Sequence, residues 1–529
     1  MSINIQHISY IHSDKQTLFK DITFTVASNL KVSLIGNNGS GKSTLLRIIA
    51  GKLKASVGEV ITSSKPYYIP QHFGQYNNLN IAQALGIDAK LKALQSILDG
   101  DVSADNFTLL NDDWGIEERA LKSLSMWDIR HLSLWQQMDC LSGGEKTKVF
   151  LGGIYIHSPS IILFDEPSNH LDKKSREQLY EIIHTYKATM LIVSHDRTLL
   201  NLIDMTYELS KHGISIYGGN YEFYKMQKEE TLNSLHTQLD EKERKLRFAR
   251  KTIREVSERK QRQDVRGKKK AEKNGVPRIM INTLKNSAEK SSSKLKKKHE
   301  KKIEAISEDL KQLREKIPES KELKVNLENA SSHKGKILVT AQRINFAYTT
   351  QNLWENPLDF QIESGDRFII SGNSGSGKTT LLNIILGKLE PKEGIIKHAD
   401  FNSIYVDQEY SIINNRLTVF EQVELFNGKH LPEYELKTLL HRFLFPVDTW
   451  DKTCDKLSGG EKIKLVFCCL TVSNKTPDIF ALDEPTNNLD IQSMEIITLT
   501  IKKYEGTVLL ISHDEYFANE IRINQRIIL

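Results

Sequence analysis

Short apolar runs alternate with amphipathic stretches along most of the chain. Val32-Ser33-Leu34-Ile35 precedes a glycine-rich stretch and the helical run 45–49, and Phe368-Ile369-Ile370-Ser371 has the same setting later in the chain. Two further apolar runs, at residues 161–164 and 479–482, each end in an acidic pair. Short continuous apolar runs are typical of parallel strands that are buried on both faces. The pattern therefore predicts the α/β fold class with parallel sheets.

The middle of the chain has a different periodicity. Apolar residues recur there at spacings of three and four, over residues 232–256 and again over residues 303–317. Gly267, Gly275 and Pro277 lie between the two runs, and such residues break helices. Two amphipathic helices around a breaker predict an antiparallel α-helical hairpin. Helices of about 30 residues would each span about 45 Å.

One set of motifs occurs twice in the same order. The two copies are offset by 336 residues at the glycine-rich stretch, by 337 at Gln71 and Gln408, by 316 at Leu-Ser-Gly-Gly-Glu, and by 318 at the acidic pairs and at His195 and His513. The fall from 337 to 316 places 21 extra residues of the first copy between Gln71 and Leu141. This repetition predicts a tandem of two homologous domains.

The repeat and the helical pattern together predict three domains. We expect the first domain over residues 1–228, with a short insertion within about 72–140. A hairpin linker would follow over residues 229–333, with its tip at about 265–286. The second domain would cover residues 334–529.

The charge of the chain is concentrated in the linker. The 529 residues include 73 Lys and Arg and 67 Asp and Glu, a formal charge of +6, but residues 241–300 alone carry 22 basic and 8 acidic side chains. That block has a net charge of +14, which leaves −8 for the rest of the chain. One interpretation of this block is a solvated linker whose lysines only keep it soluble. A stiff hairpin with its positive charge densest toward the tip instead favours contact with a polyanion such as nucleic acid.

Several classes of protein do not fit the composition. No run approaches the roughly 18 apolar residues of a membrane helix. The N-terminal sequence lacks the basic start and apolar core of a secretory signal. Four cysteines without CxxC spacing argue against a zinc or iron–sulfur site. We therefore expect a cytoplasmic protein.

Both glycine-rich stretches have the form GxxxxGK[ST] between a strand and a helix, which is the context of a phosphate-binding loop. Backbone N–H groups and the helix N-terminus attract phosphate there. Lys42 and Lys378 are expected to reach the β- and γ-phosphates of a nucleotide, and Ser43 and Thr379 to hold Mg²⁺. The candidate ATP-binding residues of the two loops are Gly36, Asn37, Asn38, Gly39, Ser40, Gly41, Lys42, Ser43, Thr44, Gly372, Asn373, Ser374, Gly375, Ser376, Gly377, Lys378, Thr379 and Thr380.

The two acidic pairs end buried strands. The first carboxylate of each pair, Asp165 or Asp483, is predicted to support Mg²⁺ through its water shell. The second, Glu166 or Glu484, is predicted to polarise the attacking water. A helix-capping role is the alternative, and it fits poorly beside a phosphate-binding loop.

A repeated Ser-His-Asp tripeptide follows another apolar strand in each copy. A single histidine is more often a core or surface residue, but the repetition favours a γ-phosphate sensor at His195 and His513. The tripeptide is not a hydrolase triad, because contiguous residues at a strand end cannot converge as a triad does.

Leu-Ser-Gly-Gly-Glu resembles the signature of ATP-binding cassette proteins, which suits anion binding at a helix start. In that family two cassettes pair head to tail around each ATP. The resemblance implies two composite sites. The first would combine Lys42, Gln71, Glu166 and His195 with Ser458, Gly459 and Gly460 of the other cassette. The second would combine Lys378, Gln408, Glu484 and His513 with Ser142, Gly143 and Gly144, and the glutamates and histidines of both sites would be catalytic. It also implies that Gln71 and Gln408 bind Mg²⁺ with Ser43, Thr379, Asp165 and Asp483.

Two tyrosines precede the loops by about two dozen residues. Tyr10 and Tyr348 could stack on adenine, or they could be ordinary aromatic residues of a strand. The sequence leaves both interpretations open.

Tandem cassettes joined by a charged helical hairpin resemble the ABC-F branch of this family, whose members bind ribosomes rather than drive transport. Residues 217–224 are similar to the Y-x-G-N-Y-x-x-Y segment that ends the first cassette in that branch. The resemblance implies an ATPase that uses ATP and Mg²⁺ and acts as a monomer with paired cassettes. It also implies that the 21 extra residues form a reduced arm.

The same resemblance implies that the ribosome is the partner, with the hairpin entering the tRNA exit site to contact rRNA and tRNA. The linker residues expected to contact RNA are Arg266, Lys268, Lys269, Lys270, Lys273 and Arg278. Members of the branch modulate translation or protect ribosomes from antibiotics. The apolar residues Ile279, Met280 and Ile281 at the tip could determine which of these activities a member has, or they could simply pack the turn of the hairpin.

Two other functions remain as alternatives. The chain could be the tandem ATPase subunit of a membrane transporter, although a subunit that docks on a permease has no need of a basic hairpin. A DNA-repair ATPase is a third possibility, but such proteins usually insert long coiled coils or zinc modules within the cassette.

Overall fold

The computed structural model describes residues 2–273, 301–314 and 335–529, apart from positions 13–14, 102, 211–212, 302, 350, 374, 475 and 487–488. Two compact units contain these residues. One unit joins Met1–Glu222 with Leu323–Leu529 and therefore includes both halves of the repeat, and the other is Phe223–Glu322.

The first cassette has nine strands and eight α-helices within its described residues. Its strands are β1 (Ile3–Ile11), β2 (Thr17–Val26), β3 (Lys31–Ile35), β4 (Val57–Thr62), β5 (Tyr67–Ile69), β6 (Ile161–Asp165), β7 (Thr189–Val193), β8 (Met205–Ser210) and β9 (Gly213–Tyr217). Its helices are α1 (Lys42–Ile49), α2 (Ile81–Leu85), α3 (Asp88–Leu98), α4 (Ala104–Leu110), α5 (Ile116–Met126), α6 (Gly143–His157), α7 (Lys173–Thr185) and α8 (Arg197–Asn201).

Two helices of the linker are described. Helix α9 spans Tyr221–Lys273, and helix α10 covers residues 303–314.

The second cassette repeats the pattern of the first. Its strands are β10 (Ile337–Asn345), β11 (Leu358–Glu363), β12 (Arg367–Ser371), β13 (Glu393–His398), β14 (Ser403–Val406), β15 (Ile479–Asp483), β16 (Thr507–Ile511) and β17 (Gln525–Ile528). Its helices are α11 (Lys378–Ile385), α12 (Val419–Leu425), α13 (Glu433–Arg442), α14 (Gly459–Val472), α15 (Ile491–Lys503) and α16 (Glu515–Glu520).

Each cassette contains one large, mainly parallel sheet and one small antiparallel sheet. The large sheets have the orders β5-β6-β7-β3-β8-β9 and β14-β15-β16-β12-β17, and the small sheets are β2-β1-β4 and β11-β10-β13. The strands β6, β7, β15 and β16 are buried along their whole length, which explains their continuous apolar sequences.

The register of these strands positions the candidate site residues. In the second cassette Ile370, Ile511 and Asp483 lie side by side on β12, β16 and β15. Asp165 pairs likewise with Val193 in the first cassette. The carboxyl ends of parallel strands meet at one edge of a sheet, and ligands bind there. The phosphate-binding loop, the acidic pair and the histidine of each copy therefore emerge at the same edge.

The 21-residue excess of the first copy forms additional helices. Between α2 and α5 the chain inserts α3 and α4, whereas only residues 426–432 separate α12 from α13. Leu91 and Leu94 of α3 and Leu110 of α4 are buried, so the insertion is a folded helical pair. The insertion predicted within residues 72–140 is thus a short helical addition to the cassette.

The linker has the amphipathic pattern that the sequence predicts. On α9 the half-buried positions include the expected apolar residues from Leu232 to Ile253, and on α10 Leu310 and Leu313 are buried. Lys242 Nζ donates to Asp309 Oδ2 at 2.6 Å, and Arg314 donates to Glu243 Oε1 at 2.7 Å. These contacts hold the second helix beside the first, as a helical hairpin requires.

Only part of the predicted linker tip can be compared with the structure. Arg266 is exposed on α9, but the side chains of Lys268, Lys269, Lys270 and Lys273 lie outside the described residues. Arg278 and the rest of the tip, including residues 279–281, also lie outside them.

The four cysteines, all within the described ranges, are free thiols in two different environments. Cys454, Cys468 and Cys469 are buried in the core of the second cassette, whereas Cys140 is exposed just before α6.

None of the helices in the described ranges combines the length and the apolar character that a membrane crossing requires.

Candidate active sites

Each phosphate-binding loop ends in a glycine with left-handed backbone geometry at the start of a helix. Gly41 has φ 95° and caps α1, and Gly377 has φ 87° and caps α11. A Cβ on Gly41 would lie 2.8 Å from Leu18 and Phe19, and one on Gly377 would lie 2.3 Å from Leu353. Glycine is therefore required here by backbone conformation and by space.

The two lysines lie along their own loops. Lys42 Nζ donates to the carbonyl oxygens of Gly36 at 2.6 Å and Asn37 at 3.2 Å. Lys378 Nζ makes the same two bonds, to Gly372 at 3.0 Å and to Asn373 at 2.8 Å. Burial lowers the pKa of both ammonium groups, and Glu166 or Glu484 opposes that change. Each cation is thus held over the loop that would bind phosphate.

Oxygen donors suited to Mg²⁺ meet next to each lysine. Ser43 Oγ donates to Asp165 Oδ1 at 2.9 Å, and Thr379 Oγ1 donates to Asp483 Oδ2 at 3.0 Å. The Oδ1 atom of Asp483 is buried and has no hydrogen-bond partner among the described residues. Mg²⁺ prefers hydroxyl, carboxylate and phosphate oxygens and keeps several waters. These residues therefore fit a Mg²⁺ ion that arrives with a nucleotide, where it would neutralise phosphate charge.

The two aspartates are further fixed by tyrosines of the neighbouring strand. Tyr68 donates to Asp165 at 2.9 Å, and Tyr405 donates to Asp483 at 3.2 Å. Gln408 is also within hydrogen-bonding range of Asp483, which places it at the predicted Mg²⁺ site of the second cassette.

The two glutamates predicted to be catalytic have a backbone conformation that is rare for this residue. Glu166 has φ 53° and Glu484 has φ 48°. Their amides donate to Val193 and Ile511 of the adjacent strand, both at 2.8 Å, which holds the turn in place. A left-handed residue at a strand end is costly and is found where the surrounding structure demands it. The turn directs each carboxylate away from the line of its strand.

Burial makes both glutamates stronger bases. It raises the pKa of Glu166 to about 8, with Lys42 opposing the rise, and the pKa of Glu484 to about 7, with Arg176 opposing it. A carboxylate with a pKa near neutrality is well suited to accept a proton from water during hydrolysis.

The two histidines lie against these glutamates. Nε2 of His195 is 3.2 Å from Glu166 Oε1, and Nε2 of His513 is 3.5 Å from Glu484 Oε1. Burial lowers the pKa of His195 to about 3 and that of His513 to about 4, and the nearby lysines add to the effect. Each histidine is therefore neutral at physiological pH and can contact an anion without itself carrying a charge.

A cavity of about 340 Å³ joins these groups in the first cassette. It is lined by Asn38, Gly39, Gly41, Lys42, Ser43, Thr44, Gln71, Glu166, Val193 and His195, together with His12 and Leu18. Its volume is within the range of small-ligand sites. The structure thus brings the predicted loop, glutamine, glutamate and histidine of the first site together.

Tyr10 and Tyr348, the two candidates for adenine stacking, have different surroundings. Tyr10 is not among the described residues that line the cavity, and its ring meets that of His12 edge-on at 5.3 Å. His12 is therefore the aromatic side chain at this wall, and the sequence analysis missed it. Tyr348 is exposed and shares a hydrogen bond of 2.8 Å with Thr380 of the second loop. Stacking on adenine remains a prediction for both tyrosines.

The signature residues open helices α6 and α14 as expected. Ser142 and Ser458 are the N-caps, each in a reciprocal capping box with the glutamate three residues later. A Cβ on Gly144 would lie 2.8 Å from the carbonyl oxygen of His170, so the signature packs closely on the segment that follows Glu166. The cavity of the first site includes no signature residue of the second cassette among its described lining. Composite binding by the signatures stays a prediction.

Two aspartates act from one cassette on the candidate site of the other. Asp490 Oδ2 accepts a hydrogen bond of 3.3 Å from the Asn38 amide and acts electrostatically on Lys42 and His195. Asp172 acts in the same way on His513. Each cassette therefore acts on the candidate site of the other through one carboxylate.

Sequence reasoning missed these aspartates, although the repeat contained a signal for them. Asp172 and Asp490 are themselves 318 residues apart, the offset of the acidic pairs.

Arg176 was also missed. It lines a second cavity, of about 90 Å³, with Glu166 and His195, and its repeat counterpart is Met494. Ser374, a predicted residue of the second loop, lies outside the described residues.

Replacing Lys42 and Lys378 by alanine should weaken ATP binding by at least about tenfold at each site. Charge-assisted hydrogen bonds contribute about 1.5–3 kcal/mol each, and 1.4 kcal/mol corresponds to a tenfold change. Titration of the purified variant with a fluorescent ATP analogue measures this. Lys54→Ala/Lys392→Ala removes two exposed lysines as a matched control, and equal affinities of the two variants would contradict the assignment.

Without nucleotide, Glu166→Gln should raise the thermal unfolding midpoint at pH 8 and change it little at pH 5. The fold keeps the proton on Glu166 up to about pH 8, whereas an unfolded glutamate loses it near 4.5. The stability from this group is therefore complete below pH 4.5 and is lost as the pH rises toward 8. Scanning calorimetry at both pH values provides the measurement.

The matched control for this pH effect is Glu118→Gln, which changes an exposed glutamate of α5. A shift of the midpoint that did not grow with pH in Glu166→Gln would show that the buried carboxyl is not protonated as described.

The family described as ABC transporter matches the chain at residues 19–169 and 355–487. These ranges contain both phosphate-binding loops, both signatures and both acidic pairs, and they cover more than half of the chain.

Relatives that match almost the whole chain include ABC-F proteins. ABC transporter F family member 5 of Arabidopsis thaliana is 29% identical over 534 residues, which are 96% of this chain and 72% of that protein. Ribosome protection protein VmlR of Bacillus subtilis (strain 168) is 27% identical over 517 residues, 97% of this chain and 84% of that protein.

Solved structures show the same fold. One is a chain in the crystal structure of the complex of archaeal ribosomal stalk protein aP1 and archaeal ribosome recycling factor aABCE1, with a TM-score of 0.58 and 19% identity. The match covers 97% of this chain and 86% of that one. These findings confirm the predicted α/β fold class and the resemblance to ABC-F proteins. The chain therefore belongs to the ABC transporter family, as a tandem-cassette ATPase of the ABC-F type.

Proposed function

We propose that this ATPase binds the ribosome near the tRNA exit site and there modulates translation or protects the ribosome from antibiotics. ATP binding would close the two cassettes and set the bound conformation, and hydrolysis would reopen them and release the ribosome. The protein would act in the cytoplasm as a monomer, with rRNA and the exit-site tRNA as its contacts.

The long basic helix of the linker is the observation that carries this proposal. Helix α9 has 53 residues, which correspond to about 80 Å at 1.5 Å per residue. From Leu232 to Ile253 its apolar residues are half-buried, Phe248 excepted, whereas Arg250, Arg259, Arg262 and Arg266 are exposed. An extended helix with cations on its outer surface can follow the phosphates of folded RNA, which is recognised largely through its shape and backbone.

The comparisons support an association with ribosomes, without indicating a binding site on them. The relative VmlR is named a ribosome protection protein, and it matches nearly the whole of this chain, including the linker. The family assignment alone would equally fit an ATPase subunit of a membrane transporter. The basic linker distinguishes the two functions, because docking on a permease gives no role to a cationic helix of this length.

Sedimentation with ribosomes tests the proposal directly. The variant Glu166→Gln/Glu484→Gln lacks both general bases, so it should hold ATP without hydrolysing it and should remain in the ribosome fraction. The same variant with ADP in place of ATP is the control and should stay in the supernatant. Absence of the ATP-bound variant from the ribosome fraction would refute ribosome binding and would favour the transporter alternative.

Removing three exposed arginines of α9 should flatten the salt dependence of ribosome affinity. Arg259→Ala/Arg262→Ala/Arg266→Ala changes cations at spacings of three and four, so they share one side of the helix. Each lost phosphate contact reduces the slope of log affinity against log salt by about 0.7–0.9. Binding measured across a salt series should therefore give a slope lower by about 2, with ATP affinity unchanged.

A matched variant controls for net charge in this experiment. Lys20→Ala/Lys54→Ala/Lys65→Ala removes three exposed lysines of the first cassette and should leave the slope as it is. Equal slopes for the two triple variants would mean that α9 is only a solvated linker.

A further inference from the structure

The short helix α8 connects three parts of the protein that the ATPase reaction must coordinate. It follows His195 and Asp196 directly, and Asp196 caps it by accepting from the amides of Thr198 and Leu199. The amide of His195 in turn donates to Glu166 Oε2 at 3.2 Å. The orientation of α8 therefore influences the catalytic pair of the first site.

The first residue of α8 reaches into the second cassette. The side chain of Arg197 is only 1% exposed, although arginine is charged and is usually found at the surface. Its guanidinium donates to Glu520 and lies over the ring of Tyr516 at 5.1 Å, and both residues belong to α16. A buried ion pair of this kind is strongly sensitive to the loss of one partner, because the other is left unpaired.

The last residue of α8 holds the start of the linker helix. Asn201 Oδ1 accepts from the amide of Glu222 at 3.1 Å, and its carbonyl oxygen accepts from Asn220 at 3.5 Å. Tyr221, the first residue of α9, is 1% exposed and lies within electrostatic range of Arg197 and Glu520. The N-terminal turn of α9 thus meets α8 and α16 at one place.

Among the described residues, the second site has no counterpart of this buried arginine. The repeat places Glu515 at the position of Arg197. Glu515 is partly exposed and forms ion pairs with Lys173 at 3.5 Å and Arg526 at 2.8 Å. Exposed pairs of this type contribute little and are easily exchanged for water.

We propose that Arg197 is a positioning residue of the first ATP site, which ties α8 to the second cassette so that the state of this site is transmitted through Asn201 to the first turn of α9. The proposal rests on contacts within the cassettes and does not depend on ribosome binding, so it can fail or succeed separately from the proposed function.

Steady-state hydrolysis by the full chain without ribosomes tests the positioning role. In a Glu484→Gln background, where only the first site hydrolyses, Arg197→Gln should lower kcat by about tenfold and leave KM within about twofold, because misplaced catalytic groups slow the reaction without removing phosphate contacts. In a Glu166→Gln background the same substitution should have little effect. Equal losses in both backgrounds would overturn the proposal in favour of general destabilisation.

Two further variants sharpen this experiment. Arg197→Lys keeps a cation for Glu520 and should recover part of the lost kcat. Lys173→Gln removes the exposed ion pair between the cassettes and should leave kcat within about twofold. Loss of activity in Lys173→Gln equal to that in Arg197→Gln would show that any contact between the cassettes has the same effect.

Hydrogen exchange tests the transmission to the linker. In the Glu166→Gln/Glu484→Gln protein, ATP should slow exchange of the amides at the start of α9 and at the start of α6. Adding Asn201→Ala should abolish the slowing at α9 and preserve it at α6, because this variant removes the side-chain acceptor of the Glu222 amide. Slowing at α9 that survives Asn201→Ala would refute the proposed route, even if Arg197→Gln failed to fold.

Discussion

The constraint on which both active sites depend is the parallel pairing of three central strands in each cassette. Parallel strands deliver their carboxyl ends to one edge, and the order β6-β7-β3 places the acidic pair, the histidine and the phosphate-binding loop there in sequence. The register of Ile370, Ile511 and Asp483 shows the same alignment in the second copy. Groups that are more than a hundred residues apart, such as Ser43 and Asp165, thus converge at this edge.

Removal of water from this edge sets the chemistry of the sites. Burial disfavours charge, so the glutamates gain basicity and the histidines stay neutral, while the lysines lose part of their preference for the charged form. Incoming phosphate charge would restore the preference of the lysines for the charged form. The two copies are not identical, because Arg176 of the first cassette faces the second site whereas Met494 stands at the equivalent position. The protein therefore combines duplicated motifs with unequal surroundings.

Much of this arrangement follows from local sequence. The buried strands, the phosphate-binding loops and the helix starts at the signatures depend on short-range sterics and hydrogen bonds, so apolar runs and motifs such as Gly-Lys-Ser and Ser-Gly-Gly-Glu were sufficient to predict them. The same holds for the amphipathic linker helices, because their apolar spacing determines which positions are buried. The insertion was located by arithmetic on the offsets, but its folding into α3 and α4 was not predicted.

Contacts between the cassettes were harder to predict. Asp490 reaches the Asn38 amide, and Arg197 reaches α16, across sequence separations of 452 and 323 residues. The spacing of apolar residues in the sequence cannot indicate such pairs, because they depend on how two folded surfaces pack against each other. Arg197 even looks like a surface residue in the sequence, because a charged side chain is rarely buried unless it is paired. Similarly, His12 rather than Tyr10 at the cavity wall depends on the irregular pairing of β1 with β2.

The distribution of thiols offers a practical consequence. Three of the four cysteines are enclosed in the second cassette, and Cys140 alone is exposed, two positions before the N-cap of α6. A maleimide dye added to the native chain would consequently attach beside one signature without any engineered background. Fluorescence from that single label would then report, in real time, how the solvent exposure of the surface around the signature changes as nucleotide binds and dissociates.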